Sequence, residues 1–405
     1  MGNKALNFLC ISSYFKGEDF LRSLKEQGNN VYLVTAENLR DEAWPWESIT
    51  DVFYVKAQPD ESWIMDDLFA GLAHTFRSLS FDRIAALDDF DVEKAAALRE
   101  HFRIPGMGQT TARYFRDKLA MRVRAQSAGI KVPAFTPLFN DEQINRFADT
   151  VPTPWMVKPR SAATASGITK IHSKDELWKL LDSLGADRHR YLLEKFAPGT
   201  VYHVDALNLD GKVIFDRASA YLSTPFEVAH GGGIFRSQTV KRNTKDDKAL
   251  RVMNAQVMKA FGMNYSASHT EFIKGDDDGE FYFLETASRV GGANLAEMVE
   301  MASGINLWKE WAVIEDCVAR GKKYKLPKQL KLQAGIIVSL SRHLNPDHSP
   351  FNAEEIVWRL KKDWHVGMIL TSKDADRVRA LLDEYAEIIG RDYHASLPAE
   401  KTPIN

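Results

Sequence analysis

SHTEFIKGDDDGEFYFLETASRVGGAN, residues 268–294, alternates apolar and polar side chains, breaks at a Gly- and Asp-rich turn, and alternates again. That pattern predicts a β-hairpin followed by a helix. Thr270, Phe272 and Lys274 face one way, Glu271 and Ile273 the other, and a turn centred near Asp278 sets Ile273 opposite Phe283 and Glu271 opposite Glu285. Two carboxylates on one face at about 5 Å repel by about 3 kcal/mol at an effective dielectric near 20, so the pair demands a shared proton or a cation. A hard divalent cation suits them best, and magnesium held by few carboxylates marks nucleotide chemistry more often than structure. Arg289 adds a positive charge four residues beyond Glu285, and Gly291 and Gly292 let backbone approach an anion where a helix begins. A surface hairpin with solvated acids is the plain alternative.

The remaining 378 residues supply the context, out of 405 in all. Hydrophobic residues at 44% and charged residues at 27% exclude a disordered polymer, and the length suits two or three packed units. No apolar run is long enough to span a bilayer, and a net charge of -2 without a basic block argues against nucleic acid as partner. Small molecules are expected instead. Cys10 and Cys317 lie far apart, which suggests neither a disulfide framework nor a metal pair. MGNKAL and NFLCIS form no signal peptide or acylation signal, so the cytoplasm is the expected compartment.

From Asn7 to Phe102, NFLCIS, VYLVT, VFYV and RIAAL alternate with helical segments, the mark of a parallel sheet covered by helices. Ser12, Ser13 and the acids Asp88 to Asp91 fall at the strand ends where such sheets bind ligands, although helix capping explains the acids as well. Pro105 to Gln109 interrupts the pattern. TARYFRDKLAMRVRAQSAGI then predicts one amphipathic helix ending at Gly129. WMVKPRSAATASGITKI places Lys158 at a strand end before a small-residue loop, which reads either as a phosphate cover or as an ordinary turn. His203 and Asp205 share a face of the next strand, and an isolated strand histidine is ordinarily structural. AHGGGIFRSQTV suggests a flap with Arg236 beyond it. The tail after about residue 326 predicts a small closing subdomain.

Taken together, DKLAMRVRAQSAGIKVP, WMVKPRSAATASGI, YLLEKFAPG, YHVDAL, TEFI and FLETASRVGG resemble the ATP-grasp superfamily in order and spacing, over roughly Pro105 to Ala319. The resemblance implies a mixed α/β and α+β fold: an N-terminal parallel α/β sheet domain (1–108), a lid with its linking helix (109–190), an antiparallel catalytic core (191–325) and a closing subdomain (326–405). It further implies that Lys118 and Lys158 hold ATP phosphates and that the loop from Ser161 through Ser166 to Gly167 covers them. Glu194, Lys195 and Ala197 would contact adenine, largely through backbone groups, with His203 near the ribose or phosphates. Glu271 and Glu285 would bind Mg2+, or Mn2+ in its place. Arg289 would steady an acyl phosphate, with Lys158 beside it and Arg236 or Arg289 free for a substrate carboxylate.

Many relatives carry Asn two residues after the second glutamate, whereas this chain has Ala287, which leaves the number of metal ions open. The glycine-rich VGGAN resembles amino-acid ligases, the dipeptide synthetases, more than the QVEH-like sequence of biotin carboxylase. The implied activity is ATP-dependent joining of an amino-acid-like carboxylate to an amine, with carboxyphosphate chemistry or a non-catalytic nucleotide-binding subunit as alternatives. Small-molecule carboxylate and amine substrates are the implied partners, and a homodimer is left open.

Overall fold

The computed structural model describes residues 4–58, 61–162 and 167–396. Strands β1 (Asn7–Ser12), β2 (Asn30–Ala36), β3 (Asp51–Val55) and β4 (Arg83–Ala86) form a parallel sheet in the order β3-β2-β1-β4. Helices α1 (Glu18–Glu26), α2 (Met65–Thr75) and α3 (Val92–Phe102) cover it on both faces. The alternation in β1 explains why: Phe8 and Cys10 pack with Phe20 and Leu24 of α1, while Leu9 and Ile11 pack with Leu68 of α2 and Leu98 of α3. A strand buried on both sides is apolar through its middle, as Phe8 to Ile11 are.

The single helix expected from residue 111 to Gly129 is instead two, α4 (Gln109–Arg113) and α5 (Lys118–Ser127). Asp117 makes the break. Its carboxylate accepts from the backbone N–H groups of Leu119 and Ala120 and from the Arg160 guanidinium, so it caps α5 and sets Lys118 in the first turn. A second, antiparallel sheet follows, with β5 (Phe135–Pro137), β6 (Trp155–Pro159), β7 (Thr169–Ile171) and β8 (Tyr191–Lys195) in the order β5-β8-β6-β7. Helices α6 (Asp141–Thr150) and α7 (Lys174–Leu184) pack on it through Ile144, Phe147, Leu177 and Leu181. Because β8 pairs with β5 and β6, the smaller sheet extends past the expected boundary at residue 190.

The largest sheet is antiparallel. It uses β9 (Gly199–Leu209), β10 (Lys212–Tyr221), β11 (Phe235–Thr239), β12 (Ser266–Gly275), β13 (Phe281–Ala287), β14 (Gln333–Leu340), β15 (Ile356–Arg359) and β16 (His365–Ser372), in the order β13-β12-β9-β10-β11-β14-β16-β15. Asp210 (φ 51°) and Gly211 (φ 70°) close the tight turn between β9 and β10. The glycine-rich stretch before β11 carries α8 (Pro225–Gly231), started by a Thr224–Glu227 capping box and Pro225. Helices α9 (Lys245–Phe261) and α5 cover one face of the β13 end through Leu250, Val257 and Met121, packed with Phe272 and Phe283. On the other face lies α10 (Leu295–Ser303), packed against Val201, Ile273 and Ile336, and α11 (Leu307–Arg320) joins this sheet to the N-terminal unit. The stretch after residue 326, expected as a closing subdomain, continues the large sheet: β14 hydrogen-bonds to β11, and α12 (Ala375–Asp392) packs on it.

Candidate active site

Glu271 of β12 stands directly opposite Glu285 of β13, the register expected for the carboxylates. The expected Ile273–Phe283 pair is not formed: Phe272 pairs with Phe283 and Ile273 with Tyr282, because a bulge leaves Leu284 unmatched. That bulge has a consequence for both faces. It lets Phe272 and Phe283 enter the same core while Glu271 and Glu285 both turn to the opposite side. The Leu284 carbonyl accepts from buried Arg122, and Phe283 N–H donates to Lys131 O at 2.9 Å, so the irregular backbone is satisfied.

The glutamates open onto a cleft of about 420 Å³ whose walls include Lys118, Lys158, His269 and Arg289. Lys118 Nζ lies 2.9 Å from Glu285 and donates to the Ala162 carbonyl at 2.7 Å. Burial pushes the Glu285 carboxyl up, but Lys118, with Lys158 and Arg122 behind it, holds it well below the usual carboxylate range. Glu271 accepts from the Tyr221 hydroxyl at 2.9 Å, and burial together with that carboxylate keeps the phenol protonated. Two hard carboxylate oxygen ligands on adjacent strands, one already drawing a lysine ammonium, fit a divalent cation.

Behind this front, Glu194 is 1% exposed and takes Arg122 at 2.6 Å and Lys158 at 2.5 Å. Burial disfavours its charge, yet the two cations keep its carboxyl below the ordinary value. Its side chain therefore aims the cleft cations. Neither it, Lys195 nor Ala197 is part of the cleft wall: Lys195 N–H donates to Ala134 O at 2.8 Å, and Ala197 packs beside Val201 and Ile273. Ser161 is exposed and Gly167 takes a φ of 67°, while Ser166 lies outside the described residues.

His203 corrects the sequence reading. It is fully buried and spends Nδ1 on Asp205 at 2.7 Å and Nε2 on Ser237 at 2.8 Å, so it does not reach the cleft. The histidine that does is His269, paired with Asp205 in register and bonded to it at 2.8 Å through Nδ1, with Nε2 3.6 Å from Glu271. Burial works against its charge, but Asp205 and Glu271 raise it to about 9, so it is an imidazolium at neutral pH. The ligand atoms of His203, Asp205 and His269 lie within 4.8 Å of one another. Both imidazoles already give Nδ1 to Asp205, which makes the set a hydrogen-bonded chain that braces Glu271. Gly291 closes over it: an added Cβ would meet Asp205 Oδ1 at 2.7 Å and His269 Nδ1 at 2.9 Å. Gly291→Ala should cost about 1–3 kcal/mol, read as a lowered thermal midpoint, and an unchanged midpoint would show the chain to be loosely packed.

Arg236 is the second correction. It sits on the α12 side of β11 and pairs with Asp383 at 2.7 Å, while its neighbour Phe235 faces the cleft. Arg289 is in the cleft wall, anchored by its own donation to Val290 O at 2.8 Å and lying 3.8 Å from Asp89. Tyr221, Arg122 and His269 were not singled out by sequence. For His269 the signal was present, since it shares the two-residue period of Glu271 and Ile273.

No family model matches the chain. An L-arginine-specific L-amino acid ligase from Bacillus subtilis is 27% identical over 235 residues, 56% of each chain. A D-alanine–D-alanine ligase from Christiangramia forsetii is 23% identical over 230 residues, 52% of this chain and 68% of that one. The chain thus spans a little over half the length of the first of these curated relatives. Among solved structures, the L-amino acid ligase from Bacillus licheniformis superposes with a TM-score of 0.71 at 16% identity, covering 98% of this chain and 100% of that one. The fold is the ATP-grasp fold. Within it, the chain resembles the L-amino-acid ligases. Among the described residues no helix is long and apolar enough to cross a membrane.

Proposed function

We propose that the protein is an ATP- and magnesium-dependent ligase that joins an amino-acid-like carboxylate to an amine and releases ADP and phosphate. The observation that carries this reading is the Glu271–Glu285 pair, set in register and facing one cleft with Lys118, Lys158 and Arg289. Glu271 and Glu285 would hold Mg2+, or Mn2+, which supplies charge neutralisation on the nucleotide phosphates. Lys118 and Lys158 bind phosphate oxygens, with Ser161 and Gly167 at the ends of the loop beside them. Amide formation from a free carboxylate is unfavourable in water, so the carboxylate oxygen first attacks the terminal phosphorus and ADP leaves. A neutral amine then attacks the acyl carbon, phosphate departs with the former carboxylate oxygen, and the amine's proton is released. Arg289 and protonated His269 face the anionic charge that develops in both steps.

Buried Cys10 and half-buried Cys317, both unpaired, support a reducing, cytoplasmic location. Arg289→Lys should lower kcat/KM at least about 10²-fold, because a point charge replaces a planar fork; near-normal kcat/KM would remove the anion-clamp role. The reading itself is tested by supplying ATP, Mg2+ and a panel of amino acids while following phosphate and amide product. Phosphate release stimulated by bicarbonate alone would redirect the chemistry to carboxyphosphate, and ATP binding without stimulated release would mark a regulatory subunit.

A further inference from the structure

A second pocket, of about 340 Å³, lies at the carboxyl end of the N-terminal parallel sheet. The order β3-β2-β1-β4 puts the switch point between β1 and β4, the place where open parallel sheets take ligands. Its walls come from the segments after all four strands: Tyr14, Leu39, Trp63 and Phe90. Tyr14 and Phe90 have ring centroids 5.3 Å apart, and the Tyr14 hydroxyl is anchored to Glu61 at 3.0 Å. Trp63 is 7% exposed, and its indole N–H has no acceptor among the described residues. A buried donor left unpaired is costly, so a ligand acceptor there is favoured.

The cations of this pocket are already engaged. Lys94 lies 5.0 Å over the Trp63 ring while bonding Phe90 O and Asp91, and Arg116 lies 4.4 Å over the Phe90 ring. That favours a neutral aromatic body over a phosphate group. The pocket also adjoins the reaction cleft: Ser161 belongs to one wall and Ala162 to the other, and Asp89 lies 3.8 Å from both Arg116 and Arg289.

We infer that this pocket receives the aromatic side chain of one amino-acid substrate, its ring among Tyr14, Trp63 and Phe90 and a phenolic acceptor on the Trp63 N–H, with its carboxylate toward Arg289. The inference rests on the ligase reading for its substrate class, and the test separates the two. Binding of L-tyrosine, L-phenylalanine and L-alanine to the full chain is measured by calorimetry, beside stimulated phosphate release. Trp63→Ala should weaken L-tyrosine at least about tenfold with ATP affinity unchanged, and Trp63→Phe should cost L-tyrosine more than L-phenylalanine. The inference is overturned if the wild-type chain binds or turns over alanine but no aromatic amino acid, if it binds none, or if Trp63→Ala weakens all three equally. Tyrosine binding that depends on Trp63 without any phosphate release would instead sink the ligase reading and leave the pocket standing.

Discussion

Glu285→Gln should reduce amino-acid-stimulated phosphate release by on the order of 10²–10³-fold while the chain still folds, with a thermal midpoint lowered only by loss of the Lys118 ion pair. The two halves of that expectation have separate causes. Loss of activity is expected because one of the two carboxylates facing the cleft is replaced by a neutral amide, which would leave a bound divalent cation with Glu271 alone. The fold survives because the Glu285 side chain is 39% exposed and its partner Lys118 keeps the Ala162 carbonyl. Glutamine preserves shape and hydrogen bonding, so the strand pairing has no reason to shift. Parallel activity and unfolding measurements check both halves, and full activity in the variant would remove the metal assignment.

Arg122→Met should be the most destabilising of the substitutions considered, by about 3–5 kcal/mol. Arg122 is among the largest fully buried side chains, and it serves two acceptors: the Glu194 carboxylate and the Leu284 carbonyl at the bulge. Methionine fills much of the volume but leaves Glu194 to Lys158 alone and strips the bulge of its donor. Combining it with Glu194→Gln should recover part of the loss, since the stranded buried charge is then gone. Glu194 also gives a pH signature. Its folded carboxyl lies below the ordinary value of 4.5, so its contribution is present above that value and is lost as pH falls through the folded one. Denaturant unfolding should therefore show stability declining from about pH 5 downward, with a shallower decline in Glu194→Gln; identical slopes would place the stabilisation elsewhere.

Much of this arrangement was legible in residues 268–294, because strand alternation is local and a Gly/Asp turn limits the pairing. The bulge at Leu284 was not legible, since an extra residue in one strand leaves alternation on either side looking ordinary. Arg236 and His203 show a different difficulty. His203 shares the face of Glu271, opposite it in register, and is kept from the cleft by burial against Asp205 and Ser237. Alternation assigns Arg236 to a face of its strand, but which face borders the cleft depends on α10 and α12, packed from more than 30 residues away in sequence. The same holds for the tail after residue 326, where the attachment of β14 to β11, and of β16 to β14, is set by long-range packing. Lys118 could be picked out by resemblance, whereas its position in a first helical turn depends on Asp117 meeting Arg160 across the chain.

The central claim is that one site activates a carboxylate through phosphoryl transfer and then gives it to an amine. Supplying ATP, Mg2+ and an amino-acid substrate labelled with ¹⁸O in both carboxylate oxygens tests it directly, by mass spectrometry of the released phosphate. The account predicts that each phosphate carries a single label and that one amide forms per ADP. Unlabelled phosphate, formed while ADP accumulates without amide, would contradict it.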